Sequence, residues 1–370
     1  MTHHTPPLRR GWTTGSCATA ATKAAWLVLQ GHTPPATVPI TLPSGQSVTF
    51  ALCQCGINNA TPFAEVIKDA GDDPDVTHGA LIRASVRALP AGTGVLFKAG
   101  EGVGTVTRPG LPIPPGEAAI NPVPRAMICT ALAEANGGTL PDVEVTLSVQ
   151  NGAKLAERTL NGRLGIVGGL SILGTTGIVV PFSCAAWIDS IHRGIDVAHA
   201  LGLTHIAGST GNVSEKAVQK HYNLPETALI EMGDFVGGLL KYVRKVPFAR
   251  LTIAGGIAKM TKLGQGRLDL HSKRGQADMP ALAHLMAQHG ASPTLVQTIE
   301  NCPTVAEAFL YARKAHLPMG TIIAQSALAT VQQTLTATPC CVDVQVYDRA
   351  GNMVGHAGPP YPRQHLSREF

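Results

Sequence analysis

The stretch RLGIVGGLSILGTTGIVVPFS, residues 163–183, predicts a short apolar strand that opens into a glycine-rich loop before a helix. Backbone N–H groups in such a loop often bind an anionic or polar ligand. The glycine spacing of residues 169–176 matches a phosphate-binding P-loop, but Thr175 stands where that motif needs lysine. The G-x-G-x-x-G pattern of dinucleotide sites is also missing. The stretch therefore predicts a polar ligand site and argues against ATP hydrolysis, and it leaves a nucleoside ligand without phosphates open.

The composition is that of a soluble globular protein. The 370 residues are 44% hydrophobic and 14% charged, which is enough for two domains with sizeable cores. The formal net charge of +5 is too low to indicate nucleic-acid binding but suits a polyanionic small molecule. The 8 cysteines have no framework spacing, so we expect free thiols. No run is long enough for a membrane span and no signal peptide is evident, so we expect a cytoplasmic protein.

The order of predicted elements indicates an α+β and α/β fold with two domains. Residues 1–160 predict a mixed antiparallel α+β domain, with alternating strands around turns such as Ser44-Gly45. Residues 161–335 predict a Rossmann-like α/β domain with a largely parallel sheet, because short apolar strands alternate with helices. Helix candidates at 279–289, 304–315 and 321–335 follow. The closing hairpin, in 336–370, could complete the first domain.

Four predicted strands end in polar, glycine-rich segments, at residues 168–177, 208–212, 232–235 and 255–262. In an open parallel sheet, ligands bind beyond the carboxyl ends of the strands. Glycine by itself marks only tight turns. Four successive exits of this kind therefore predict a ligand crevice.

Two charged segments have both a structural and a functional interpretation. KDAGDDPDVTHG, residues 68–79, does not match an EF-hand, so it is either a solvated turn or a binding loop. Residues 259–278 carry five cationic side chains and two acidic ones, a balance of +3, and form either a basic surface or a clamp for carboxylates. His271 within them is either structural or a proton carrier. No H-E-x-x-H or C-x-x-C motif occurs, so we expect no protein-bound catalytic metal.

Six segments in order resemble one family: RRGWTTGSCATAATKAA, KDAGDDPDVTHGA, RPGLPIPPGEAAINPVPR, GIVGGLSILGTTGIVVPFS, GSTGN and DLHSKRGQAD. The family is that of the CbiD-type cobalt-precorrin-5B C(1)-methyltransferases. The resemblance implies transfer of a methyl group from S-adenosyl-L-methionine to C1 of a cobalt-corrinoid substrate, giving cobalt-precorrin-6A in anaerobic cobalamin (vitamin B12) biosynthesis. It also implies an α+β domain and an α/β domain. The cobalt belongs to the substrate. The alternatives are a non-catalytic tetrapyrrole carrier and a nucleotide-dependent ligase or kinase.

The resemblance and the motifs together name three sets of candidate residues. The catalytic candidates are His271, Asp72 and Asp75. The candidates for binding S-adenosylmethionine are Gly168, Gly169, Ser171, Gly174, Thr175, Thr176, Gly208, Thr210, Gly211, Asn212 and Asp234. The candidates for binding the corrinoid are Thr14, Ser16, Asp73, Thr77, Lys259, Lys262, Ser272, Lys273 and Arg274. Expected partners are this small-molecule substrate, other enzymes of the pathway and a second copy of the chain, with no nucleic acid and no membrane.

Overall fold

The computed structural model describes residues 7–359, apart from the side chain of Lys273. The chain divides into two compact units, Met1–Cys184 and Ala185–Phe370. It is a mixed α and β protein whose sheets combine parallel and antiparallel strands. This division differs from the predicted 160/161, since Ile166–Val167 and Ile178–Val179 pair with strands of the first unit.

The first unit is built around one buried helix. In chain order its elements are β1 (Gly11–Trp12), α1 (Thr14–Leu29), β2 (Thr37–Thr41), β3 (Ser47–Ala51), β4 (Gln54–Asn58), β5 (Thr61–Ile67), β6 (Leu81–Ala88), β7 (Val95–Ala99), β8 (Thr105–Val106), α2 (Pro122–Ala135), β9 (Val143–Val149), α3 (Gly152–Ala156), β10 (Ile166–Val167) and β11 (Ile178–Val179). The Thr13 side chain caps α1 by accepting from the Ser16 N–H. Alanines along α1 let it pack closely on β5, β6 and α2. The main sheet has the order β4-β5-β6-β9-β7, in which only the β7–β9 pair is parallel.

The glycine-rich stretch does not open the parallel sheet, and that prediction is wrong. β10 pairs antiparallel with β8, and β11 pairs antiparallel with β1. Between them Leu170 and Ile172 form bridges to Val103 and Ile120. The stretch is therefore held in the first unit by these strand pairs and bridges. Its apolar run and its glycines are the same in either arrangement, so the local pattern could not reveal the partner strands.

The second unit contains a largely parallel sheet. Its elements are α4 (Cys184–Ala200), β12 (His205–Ser209), α5 (Asn212–Tyr222), β13 (Leu229–Glu231), α6 (Val236–Val243), β14 (Arg250–Gly256), α7 (Ile257–Gly264), α8 (Met279–Gln288), α9 (Pro293–Glu300), α10 (Val305–Lys314), α11 (Met319–Thr334), β15 (Cys341–Tyr347) and β16 (Met353–Ala357). The sheet order is β13-β12-β14-β15-β16, with β16 antiparallel. The closing hairpin β15–β16 thus extends the sheet of the second unit. The sequence had left open whether it completes the first domain, and it does not. None of the helices in residues 7–359 combines the length and apolar character of a membrane span.

Candidate functional site

The strand order of the second unit creates a point where the chain leaves the sheet in two directions. β12 and β14 are neighbours in the sheet. The chain that leaves β12 runs to β13 on one side, and the chain that leaves β14 runs to β15 on the other. Ligands of open α/β sheets bind at such a topological switch point. The site is therefore sought among the residues that follow β12, β13 and β14.

Backbone hydrogen bonds bring these three exits together. The Thr210 N–H donates to the Ala254 carbonyl at 3.0 Å, which joins the end of β12 to β14. The N–H groups of Met232 and Gly233 both donate to the Ser209 carbonyl, at 3.0 and 3.2 Å. Three of the four predicted exits therefore meet at one edge, and the fourth, residues 168–177, lies in the first unit.

Lys259 connects the exits through its side chain. Its Nζ donates to the Thr210 carbonyl at 2.8 Å and lies 3.1 Å from Asp234 Oδ1. Both charged side chains are partly exposed, so the ion pair itself adds only about 0–1 kcal/mol of stability. Its larger consequence is geometric, because it fixes the direction of the Asp234 carboxylate at the edge.

The basic segment approaches the same edge. The Leu270 N–H donates to the Asp234 carbonyl at 2.8 Å, and the Gly237 N–H donates to the Leu268 carbonyl at 2.9 Å. Lys262 Nζ donates to the Leu270 carbonyl at 2.9 Å, so this lysine holds the segment in place. His271 follows directly and is half-buried.

The end of the basic segment is more exposed. Arg274 Nε lies 3.3 Å from Asp269 Oδ2, and its side chain is mostly exposed, as is Ser272. The Lys273 side chain lies outside the described residues. This end offers hydroxyl and guanidinium groups to an anionic ligand.

The glycines at the exit of β12 have different roles. A Cβ on Gly208 would lie 2.7 Å from Leu239 Cδ1, so glycine gives this side chain room to pack inside the unit. The ligand-binding role of Gly208 stays a prediction. Gly211 caps α5 without a side-chain hydrogen bond and with open space around it, and Asn212 begins the helix with an exposed side chain. An uncapped helix start presents N–H groups to a carboxylate.

One acidic residue at this helix start escaped the sequence analysis. Glu215 is 5% exposed in the first turn of α5 and accepts a hydrogen bond from Ser209 Oγ at 3.3 Å. A buried carboxylate at the edge favours a cationic group nearby. A single glutamate in an amphipathic helix has no sequence pattern that would have marked it.

Several backbone N–H groups of the glycine-rich loop donate hydrogen bonds within the first unit. The N–H groups of Leu170 and Ile172 donate to the carbonyls of Gly102 and Ala119, at 2.9 and 2.8 Å. A Cβ on Gly169 would lie 2.2 Å from the Gly102 oxygen. This part of the loop therefore closes on the protein itself, whereas Gly168 has open space around it.

The start of α1 holds the rest of that loop. Thr14 Oγ1 accepts from the Leu173 N–H at 2.9 Å, and Ser16 Oγ donates to the Gly177 carbonyl at 2.7 Å. Ser16 is fully buried. The two hydroxyls predicted to bind the corrinoid thus have structural partners.

The remaining loop candidates differ in exposure. Ser171 is buried, Thr175 and Thr176 are exposed, and a Cβ on Gly174 would lie 2.4 Å from Thr13.

Two carboxylates of the acidic loop hold the amino-terminal segment. Arg9 pairs with Asp69, and the Arg9 N–H donates to Asp72 Oδ2 at 2.6 Å. The guanidinium hydrogen bond and the N–H of Gly71 lower the pKa of Asp69 to about 2. Asp72, a catalytic candidate, is thus engaged by the backbone of the same segment.

The other two carboxylates hold one distant segment and the loop itself. Asp73 Oδ1 accepts from the Phe182 N–H at 2.8 Å. Asp75 accepts from Lys68 Nζ at 2.6 Å and from the Thr77 N–H and hydroxyl at 2.8 and 2.7 Å. Burial alone would raise the pKa of Asp75, but Lys68 and Thr77 outweigh it and lower that pKa. These contacts favour the structural interpretation of the acidic loop.

Comparison with known proteins then places the chain. The CbiD family model matches residues 1–181, and the model of the CbiD C-terminal domain matches residues 269–358. A relative from Bradyrhizobium sp. is 57% identical over 352 residues, which cover 94% of this chain and 93% of that protein. The chain belongs to the CbiD family.

Other CbiD relatives give the same picture. The Bradyrhizobium protein and a relative from Agrobacterium fabrum, 57% identical over 94% of this chain and 92% of its own length, are both named cobalt-precorrin-5B C(1)-methyltransferase. A crystal structure of a CbiD cobalamin biosynthesis protein from Archaeoglobus fulgidus is 28% identical and covers 72% of this chain and 83% of its own, with a TM-score of 0.39. In the sequence, β12, β13 and β14 lie between the two regions that the CbiD models match.

Proposed function

We propose that this chain is the S-adenosyl-L-methionine-dependent methyltransferase that methylates C1 of cobalt-precorrin-5B to give cobalt-precorrin-6A. The observation that carries the proposal is identity of 57% over 94% of the chain with relatives that bear this enzyme's name. The reaction belongs to anaerobic cobalamin biosynthesis, and the substrate is a cobalt-corrinoid small molecule. A cytoplasmic location, a homo-oligomer and contacts with other enzymes of the pathway stay predictions.

We place the methyl donor at the carboxyl edge of the second unit, which we describe as Rossmann-like. S-Adenosylmethionine presents a carboxylate, ribose hydroxyls and a cationic sulfonium, and it has no phosphate. The uncapped start of α5 at Gly211 and Asn212 fits the carboxylate. Asp234 fits the ribose hydroxyls, because it follows β13, the parallel strand that lies next to β12 in the sheet.

The exposed end of the basic segment fits the carboxylate arms of the corrinoid. Arg274 and Ser272 are exposed there, and Lys262 holds the backbone from which they project. Guanidinium groups bind carboxylates in a planar, bidentate manner. This part of the chain therefore serves to orient the macrocycle.

The bound donor supplies a methyl group that is already activated by its positive sulfur. The contribution of the protein is then to hold the accepting carbon and the methyl group in line and to exclude water. His271 is the candidate that accepts a proton as the ring reorganises. It follows Leu270, whose N–H is fixed on the Asp234 carbonyl, and an imidazole ring can act as a general base.

A methyl-transfer assay tests the proposal. The protein is incubated with cobalt-precorrin-5B and S-adenosylmethionine labelled in its methyl carbon. The expected product carries one labelled methyl group at C1, and S-adenosylhomocysteine is released in equal amount. Tight binding of the corrinoid without methyl transfer, together with no binding of S-adenosylhomocysteine, would instead support the carrier alternative.

A further inference from the structure

Trp187 is an aromatic side chain at the carboxyl edge to which no role has yet been given. It lies in the first turns of α4 (Cys184–Ala200), and its side chain is 43% exposed. A Cβ added to Gly233 would lie 3.3 Å from the indole atoms Cε2, Cζ2 and Nε1. The indole therefore lies directly on the backbone of Gly233.

The contact places the indole beside the exits of β12 and β13. The Gly233 N–H donates to the Ser209 carbonyl at 3.2 Å, and Asp234 is the next residue. Gly233 has a φ of +56°, which glycine adopts far more readily than other residues. The backbone conformation therefore favours glycine at this position, and an added Cβ would press on the indole.

The helix that carries the ring packs closely against its neighbour. A Cβ on Gly238 would lie 3.2 Å from Ile188 Cγ1, so α4 packs closely on the start of α6 next to Trp187. Ser190 Oγ donates to the Trp187 carbonyl at 2.6 Å. A large aromatic face that is held in place and left nearly half exposed at a ligand edge is suited to stacking.

The neighbouring carboxylate narrows the class of ligand. An aromatic face beside an acidic side chain matches a nucleoside, whose base stacks and whose ribose hydroxyls donate to the carboxylate. A corrinoid rim carries several carboxylates, which the Asp234 carboxylate would repel. The pair Trp187 and Asp234 therefore fits the adenosine part of the methyl donor better than the macrocycle.

We propose that the indole of Trp187 stacks on the adenine of S-adenosylmethionine while Asp234 binds the ribose. This inference rests on the proposed function, since it names the base-binding wall of the same donor site. It adds a binding residue that comes from α4, outside the glycine-rich exits that marked the edge.

Calorimetric titration with two ligands tests the stacking. S-Adenosylhomocysteine contains both the amino-acid and the adenosine parts, whereas 5′-methylthioadenosine lacks the amino acid. Trp187→Ala should raise the Kd of both ligands by the same factor, about tenfold. Stacking of a base on an aromatic ring is worth about 1–3 kcal/mol of binding free energy. Trp187→Phe should keep most of the affinity. Phe182→Ala, which removes another exposed aromatic side chain, is the matched control and should bind both ligands as wild type does.

Fluorescence gives an independent readout, since the chain has only 3 tryptophans and Trp26 is buried. Ligand binding should quench wild-type emission, and Trp187→Phe should lose the quench. Wild-type affinity in Trp187→Ala, or weaker S-adenosylhomocysteine binding with unchanged 5′-methylthioadenosine binding, would overturn the inference and leave the proposed function intact. If the wild-type protein itself binds neither ligand, the proposed donor site fails and this inference fails with it.

Discussion

The Lys259 ammonium lies 3.1 Å from the Asp234 carboxylate and donates to the Thr210 carbonyl at 2.8 Å. One side chain on α7 therefore ties the exits of β12 and β13 to the exit of β14. Because a lysine has several donors, it can hold both acceptors at once. The consequence is that one ammonium group links the three exits at the carboxyl edge.

Lys259→Met should loosen this edge. Without the ammonium, the Asp234 carboxylate loses its counter-charge and the Thr210 carbonyl loses its donor, so we expect S-adenosylhomocysteine to bind about tenfold more weakly. The melting temperature should change little, because the ion pair is partly exposed. Lys216→Met, which removes an exposed lysine on neighbouring α5, is the control. Equal affinities in the two variants would show that Lys259 does not shape the site.

His271→Ala should lower turnover without weakening the binding of the methyl donor. A positioned general base contributes about 10²–10⁴-fold to rate, so we expect a loss of kcat in that range. The Kd for S-adenosylhomocysteine should stay at its wild-type value. The measurement is steady-state kinetics of methyl transfer, beside a titration of the variant with S-adenosylhomocysteine. An unchanged kcat would make His271 structural.

The second-unit edge was accessible to sequence analysis for a simple reason. Each of its three exits is an apolar strand followed at once by glycine and polar residues, as in 208–212 and 255–262. Parallel strands have their carboxyl ends on one edge, so the local pattern was enough to bring the exits together. Asp234 and Lys259 both lie in these predicted segments, and their binding of S-adenosylmethionine and of the corrinoid, respectively, stays a prediction.

The first unit shows where the pattern is insufficient. Residues 163–183 contain an apolar run and glycines, and their pairing depends on Thr14 Oγ1 and on strands far along the chain. The closing hairpin β15–β16 likewise takes its place from the pairing of β15 with β14. Helix α9 was not predicted, although its Ser292 cap and Pro293 are local start signals. Trp187 was missed because an aromatic in a helix is usually a core residue.

Lys68 should be important for stability. It is 1% exposed and donates to Asp75 at 2.6 Å, so Lys68→Met removes the main counter-charge of a half-buried carboxylate. Breaking a buried ion pair of this kind costs about 3 kcal/mol of unfolding free energy. Urea unfolding checks the value, with Arg274→Met as a control that breaks an exposed pair. A loss as small as that of the control would show that the acidic loop does not depend on Lys68.

Stability should also fall in mild acid because of His205. Burial lowers the pKa of this histidine from 6.5 to about 4, with nearby Asp343 opposing the shift. Because this pKa is lower in the folded protein, the unfolded chain binds the proton more readily. The stability that comes from the neutral His205 is therefore fully present above pH 6.5 and is lost as the pH falls toward about 4. Urea unfolding over this pH range should show the decrease, and His205→Gln should flatten it. An equally steep decrease in the variant would assign it to other groups.

The central claim is that the methyl donor binds at the carboxyl edge of the second unit and not at the glycine-rich loop of the first. The most direct measurement is the Kd for S-adenosylhomocysteine in Asp234→Ala and in Thr175→Val, two substitutions at partly or fully exposed positions. We predict that Asp234→Ala weakens binding about tenfold or more, since it removes a charged hydrogen-bond acceptor, and that Thr175→Val binds as wild type does. Wild-type affinity in Asp234→Ala together with weakened binding in Thr175→Val would contradict the account.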